Sequence, residues 1–288
     1  MRKVFLIAFV FVTSTLLLWA GDEPKSADDL IGKHLESIGS ADARAKAKSR
    51  GVDGTAHFEF ITRGSGGRGE GSMNLATDGH KFRLVVNLNT PTYTGEDFVS
   101  DGANIYVAGL ISVGKKSVLG AFVDQRWELL KEGLFGGVLS TGWPLLDVAD
   151  RKAKIKYNGL KKVFGQELLE LRYEPRKTKD DVQIRLYFDP KTYRHVMTIY
   201  DARIPLSSQK GTQNPNARIS MSGLESNEGH QVLKETFGAF KTLDGITLPS
   251  KWTIEMTDDV VSTDRMKWDF EIRSVVHSPV DAATFKVK

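Results

Sequence analysis

Two glycine-rich stretches, six histidines and a few paired carboxylates are the places where this 288-residue chain could do chemistry. Gly64-Ser65-Gly66-Gly67-Arg68-Gly69 matches G-x-G-x-x-G. In a dinucleotide site that loop opens a helix whose amide dipole meets the pyrophosphate. Here strand-like alternation follows, so the stretch reads as a hairpin loop. Gly109, Gly114 and Lys115 approach the spacing of a phosphate loop, but Lys116 stands where a Ser or Thr must hold magnesium. His34, His57, His80, His195, His230 and His277 form no pair at ligand spacing, and there is no H-E-x-x-H. A G-x-S-x-G elbow and a cysteine nucleophile are both absent. Asp180-Asp181 and Asp258-Asp259 sit at turns, where solvated carboxylates are the default. The expectation is therefore a protein that is not an enzyme, with no catalytic residue, no metal and no cofactor. A hydrolase with an unrecognised site is the competing reading.

The first twenty residues have the layout of an export signal. Arg2 and Lys3 precede an apolar run at 4–18, relieved by Thr13, Ser14 and Thr15, and Ala20-Gly21 offers a cleavage site. Spanning a bilayer takes ~20 apolar residues, so an uncleaved anchor is the alternative. The expected organisation is a signal peptide at 1–20 and one domain at 21–288, located in the periplasm. Two of the +4 formal charges come from Arg2 and Lys3, and the remaining basic residues are interleaved with acids. That leaves no nucleic-acid footprint. With no cysteine, an exported chain is stabilised by burial alone and has no lipid-modified cysteine at its cleavage site.

The elements follow from periodicity. Ser26 as N-cap, then Leu30, Ile31, Leu35 and Ile38 on one face, then Gly39, predict a helix. A basic piece at 41–49 extends or follows it. From Gly51 the period changes to two. Strands are expected at 52–62, 72–77, 81–88 and 98–108, then at 153–157, 161–173, 182–188 and 195–204. Further strands are expected at 218–224, 231–241, 246–257 and 264–277, with turns at Asp78-Gly79, Asp101-Gly102, Phe164-Gly165 and Leu243-Asp244-Gly245. Residues 278–285 suit a helical turn that carries Phe285 to the core. With no strand–helix alternation, a parallel doubly wound sheet is unfavourable. The fold class is α+β, mainly β: a curved antiparallel sheet forming an open half-barrel covered by a few helices.

Each strand has one dry face and one wet face. Phe58 and Phe60 share a face, as do Phe82, Leu84, Val86 and Leu88. So do Ile184, Leu186 and Phe188; Trp252, Ile254 and Met256; and Met266, Trp268, Phe270 and Ile272. A helix-covered core explains most of these residues. Few helices must cover much apolar sheet, however, and an incompletely filled curved sheet leaves an apolar cavity. Phe58, Phe60, Phe82, Leu84, Val86, Ile184, Leu186, Phe188, Trp252, Ile254, Trp268 and Phe270 are the expected lining. Residues 118–146 interrupt the strands as a helical insert. Its second half holds Gly133, Gly136, Gly137 and Gly142 among Leu134, Phe135, Leu139 and Trp143. A flexible, apolar segment suits a lid over the opening, and a static plug completing the core is the alternative.

Several stretches resemble the LolA/LolB-like superfamily of periplasmic outer-membrane lipoprotein carriers. Residues 28–39 resemble its opening helix, and 78–83 its arginine-bearing strand start. Residues 100–106, the Asp-Pro-x-Thr turn at 187–192, residues 244–249 and the ending 280–285 are also similar. The resemblance implies an open antiparallel barrel with an apolar concave face lidded by helices. It implies a lipid or lipoprotein acyl chain as ligand and no catalysis. Arg83 corresponds by type to the family's barrel arginine, yet alternation sets it opposite Phe82 and Leu84. The function expected is a binding or carrier protein for an acylated ligand in lipoprotein sorting or envelope lipid handling. The alternative is an envelope-stress or assembly factor that binds a protein partner through the curved sheet.

Overall fold

A computed structural model of the chain describes residues 23–62, 65–111, 116–176, 182–205, 228–258 and 264–287. The first element, helix α1 (Ala27–Ile38), is set by its ends. Ser26 accepts from the Asp29 amide, and Asp28 and Asp29 meet the positive end of the helix dipole. Leu30, Ile31, His34 and Ile38 face inward. Gly39 ends it at φ 152°, and a Cβ there would lie 2.3 Å from the Gly245 carbonyl oxygen. The basic piece therefore follows as a separate helix, α2 (Ala41–Lys46), capped by Ser40.

The alternating segments form twelve strands: β1 (Ser49–Thr62), β2 (Ser65–Asp78), β3 (Lys81–Leu88), β4 (Tyr93–Ser100) and β5 (Ile105–Ile111), then β6 (Lys154–Val163), β7 (Gln166–Glu174), β8 (Val182–Phe188), β9 (His195–Pro205), β10 (Glu228–Leu243), β11 (Ile246–Asp258) and β12 (Asp264–Val276). They pair in one antiparallel sheet of order β5-β4-β3-β2-β1-β12-β11-β10-β9-β8-β7-β6. β5 and β6 are its edges, so the sheet is not closed into a barrel. Register shifts at Asp53/Gly54, Tyr93/Gly95, Tyr157/Leu160 and Tyr187/Phe188 are bulges of the kind that bend strands. Between β5 and β6 lie α3 (Val118–Gln125), α4 (Glu128–Lys131), two single turns of 3-10 helix (Gly137–Leu139 and Pro144–Leu146) and α5 (Val148–Arg151).

The structure departs from the periodicity reading in three places. The segment 98–108 is two strands, because Asp101 Oδ1 accepts from the amides of Ala103 and Asn104 and closes a turn. The described part of the glycine motif is not a loop but the start of β2, with Gly66 opposite Ile61 and Gly69 opposite Phe58. A Cβ on Gly67 would lie 2.3 Å from the Phe60 ring, so glycine there lets the ring cross the neighbouring strand. The last turn, Ala282–Phe285, buries Phe285 against β3 beside Lys81 and Arg83, on the outward phase of that strand. Residues 1–22, 112–115, 218–224, Asp180, Asp181 and Asp259 lie outside the described residues, and so do the expectations that rest on them.

The alternation reading of the faces holds. Register places Phe58 opposite Trp268, Trp268 opposite Ile254, and Trp252 between Phe237 and Phe270. These residues belong to one core cluster on the inner face. The outer face carries ion pairs such as Arg83–Asp97, Lys234–Glu255 and Lys267–Asp269. It also holds a small apolar cluster of Leu168, Tyr187, Met197 and Ile199.

Candidate functional site: the concave face and its cover

The inner face of a twelve-stranded sheet is too broad for α1 alone to bury. The remaining cover comes from α3 and α4, through Leu119, Phe122, Val123, Leu129 and Leu130, and from residues 133–146. Leu134, Phe135, Leu139 and Trp143 are fully buried. Phe135 sits among Phe82, Phe98 and Trp252, with ring centroids 6.2, 6.0 and 5.7 Å away. The segment holds no regular structure beyond single turns. Its glycines are required by shape. Gly133 has φ +67° and a Cβ there would lie 2.0 Å from the Gly142 carbonyl oxygen. Gly137 has φ +52° and packs on Phe237 and His195.

Three buried polar groups pin this cover to the rest of the fold. Glu235 Oε1 accepts from the Gly136 amide at 2.8 Å and from Trp252 Nε1 at 2.9 Å, while Oε2 accepts from the Tyr200 hydroxyl at 2.8 Å. Burial pushes this carboxyl up to about 7, against the pull of those donors. His34 Nδ1 donates to the Tyr193 carbonyl, leaving Nε2 to accept from Trp143 Nε1, both at 3.0 Å. That tautomer is neutral, and burial lowers the imidazole to about 4. Arg50 Nη1 donates to the carbonyls of Val138 and Leu139 at 2.8 Å each.

Two cavities flank the cover. One, of ≈ 490 Å³, lies between α1, α2 and the cover. Ile38, Ala47, Val138, Trp143, Leu146 and Ile246 line it together with Arg44, Lys48, Arg50, His80 and Asp147. The other, of ≈ 210 Å³, lies at the β4–β12 end and is lined by Phe58, Phe60, Tyr93, Met266 and Trp268. Behind it the Tyr93 hydroxyl donates to Glu96 Oε1 at 2.6 Å and accepts from Trp268 Nε1 at 2.9 Å. Ser117 also donates to Glu96 Oε1 and caps α3. Glu96 is 1 % exposed, burial pushes its carboxyl up to about 8, and Oε2 has no partner. Pockets for small molecules run roughly 300–1,000 Å³, so the first cavity is of ligand size and the second is small for one.

Of the twelve residues expected to line a cavity, Phe58, Phe60 and Trp268 do so. Phe82, Leu84, Val86, Ile184, Leu186, Phe188, Trp252, Ile254 and Phe270 are buried in packed core beneath the cover. Of the four residues expected to form a lid, Trp143 lines the larger of these two cavities. Arg50, Glu96 and Glu235 were missed by the sequence reading. Each shares strand phase with apolar neighbours: Arg50 with Val52, Glu96 with Phe98, and Glu235 with Leu233 and Phe237. A charge in phase with a dry face is the signal that would have found them. Arg83 forms a two-pronged pair with Asp97 at 3.1 and 3.0 Å on the outer face. Among the described residues no helix is long and apolar enough to cross a membrane, and no three His, Asp or Glu are placed to hold a metal.

The class defined by this arrangement is an open, curved antiparallel sheet whose concave apolar face is covered by helices and one irregular segment. No family model matches the chain, and no curated protein matches it. Solved structures similar to it include a LolA superfamily protein from Nitrosomonas europaea, 11 % identical, covering 91 % of this chain and 98 % of that one with a TM-score of 0.46. A DUF1329 family protein from Desulfovibrio piger is also 11 % identical, covering 92 % and 98 % with a TM-score of 0.45. An outer membrane lipoprotein-sorting protein domain from Vibrio parahaemolyticus, 11 % identical, covers 88 % and 97 % with a TM-score of 0.43. At this identity the likeness is one of fold alone.

Proposed function

We propose that this is a periplasmic binding or carrier protein that holds a lipid or lipoprotein acyl chain against its concave sheet, with residues 1–20 as the export signal. One observation carries the reading. The inner face is covered by an irregular segment, residues 133–146, in place of a long helix or a second sheet. Burying its four large side chains contributes roughly 6–12 kcal/mol at 1.5–3 kcal/mol each. An acyl chain contributes about 0.8 kcal/mol per methylene, so about ten methylenes offset a comparable exposure. Cover and ligand are thus matched competitors for the same surface, and the segment acts as a lid that yields to the chain. Organic extraction of natively purified protein, followed by mass spectrometry, tests this. A stoichiometric amphiphile supports the reading, and a clean extract from protein that also fails to take up added lipid refutes it.

A second reading, a protein partner docked along the sheet, draws on the edges β5 and β6, which pair with no further strand among the described residues. β6 carries Lys154, Lys156, Lys161 and Lys162, which is how exposed edges are commonly kept from pairing. That feature favours the carrier.

A further inference from the structure

Arg50 is a buried cation with no acid opposite it. It is 4 % exposed, and among the described residues no carboxylate pairs with it. Its Nη1 is used by the carbonyls of Val138 and Leu139, while its Nε–H has no acceptor. A guanidinium shut away from water without a counter-ion is costly, and a buried N–H without an acceptor adds to that. Burial lowers it to about 10, still charged at neutral pH. This side chain lines the ≈ 490 Å³ cavity.

Two further cations, Arg44 and Lys48, line that cavity. Arg44 donates from Nη1 to the Leu35 and Gly39 carbonyls at the end of α1, and Lys48 stands exposed on the wall. Asp147 is the carboxylate of the lining, and it is engaged by Arg151 Nε at 2.5 Å and faces His80 at 3.7 Å. Ile38, Trp143, Leu146 and Ile246 give the rest of the wall a largely apolar character, with Ser140 and Thr141 as its uncharged polar members.

We propose that this cavity seats the anionic head of a single-chain amphiphile, a phosphate or carboxylate whose oxygens accept from Arg50 and whose chain runs beneath residues 133–146. The inference rests on the carrier reading and names its ligand class. A head there would offset the uncompensated charge of the Arg50 guanidinium, and its chain would enter where Val138 and Trp143 border the cavity. Charge-assisted hydrogen bonds of this kind are worth roughly 1.5–3 kcal/mol, about tenfold or more in affinity.

The test is calorimetric titration of the full exported chain, below micelle concentrations, with dodecyl phosphate, dodecanoate, dodecanol and inorganic phosphate. The expected order is both anionic amphiphiles at least about tenfold tighter than dodecanol, with inorganic phosphate far weaker. Arg50→Gln should abolish that preference, so that the anionic amphiphiles and dodecanol bind with the same affinity. Because Arg50 also holds the cover, Lys48→Glu is the second variant. It changes an exposed side chain and should selectively weaken the two anions several-fold. Dodecanol binding as tightly as the anions would overturn the headgroup site while leaving the carrier reading intact. Inorganic phosphate binding as tightly as dodecyl phosphate would assign the site to a free anion and overturn the amphiphile. Failure of all four to bind would refute the carrier reading itself.

Discussion

Replacing Glu96 by glutamine should remove much of the loss of stability that the protein undergoes as pH rises from about 4.5 to about 8. The carboxyl goes from its ordinary 4.5 to about 8 on folding, because burial disfavours its charged form more than the Ser117 and Tyr93 hydroxyls favour it. Between those values the folded chain binds a proton that the unfolded chain has released. Stability from this group is therefore full below about pH 4.5, falls as pH rises, and levels off above about pH 8. Each pH unit crossed between those values costs about 1.36 kcal/mol, so the loss approaches about 5 kcal/mol. Glutamine keeps an Oε1 to accept from Tyr93 and Ser117, and it puts an amide where the unpartnered Oε2 stands. Glu96→Gln should match wild type within about 1 kcal/mol at pH 5 and exceed it by several kcal/mol at pH 9. Glu235 loses stability in the same direction between 4.5 and about 7, and His34 loses it as pH falls from 6.5 to about 4. Both are present in the two proteins and cancel in the comparison. Urea denaturation followed by tryptophan fluorescence at pH 5, 7 and 9 measures it. Equal pH slopes for wild type and variant would refute the claim that Glu96 folds in protonated.

Gly133→Ala should destabilise by about 2 kcal/mol or more, read as a lowered thermal midpoint, because its φ is +67° and a Cβ would meet the Gly142 carbonyl. Phe82→Asp, Phe188→Asp and Trp268→Asp should each cost several kcal/mol in chemical denaturation by burying an unpaired charge, whereas Ile61→Asp, at a site 53 % exposed, should stay within about 0.5 kcal/mol. Unchanged midpoints for all three would mean that the opposite faces point inward. Arg83→Ala should cost about 1 kcal/mol, for the loss of its partly exposed pair with Asp97, and leave amphiphile affinity unaltered in the same titrations.

How much was legible in the sequence depends on the range of the interaction. Alternation over 81–88 and 182–188 needs only neighbouring residues, and the inward faces it assigned to Phe82 and Phe188 match the structure. The capping of α1 by Ser26 is equally local. The start of β2 was not readable, because Gly67 is required by the ring of Phe60, a residue on the adjacent strand. The glycines of 133–146 suggested freedom, but their conformations are dictated by packing against Gly142, Phe237 and His195. Arg50, Glu96 and Glu235 break the alternation of their strands, and their partners include Val138, Leu139, Ser117 and Gly136, 21 to 99 residues away. Strand phase marks the three charges, but no periodicity spans such separations, so what each of them holds became visible only in three dimensions.

Residues 133–146 are expected to give way to an acyl chain. Amide hydrogen exchange across that segment, with and without saturating monoacylglycerol, tests this most directly, because the neutral head keeps the result independent of Arg50. The expected result is that exchange at 133–146 accelerates when lipid is added, as the Gly136–Glu235 and Trp143–His34 bonds open, while β10 and β11 stay protected. Exchange in the segment as slow as in β10 and β11, with lipid and without it, would contradict the claim and make the cover a fixed part of the core.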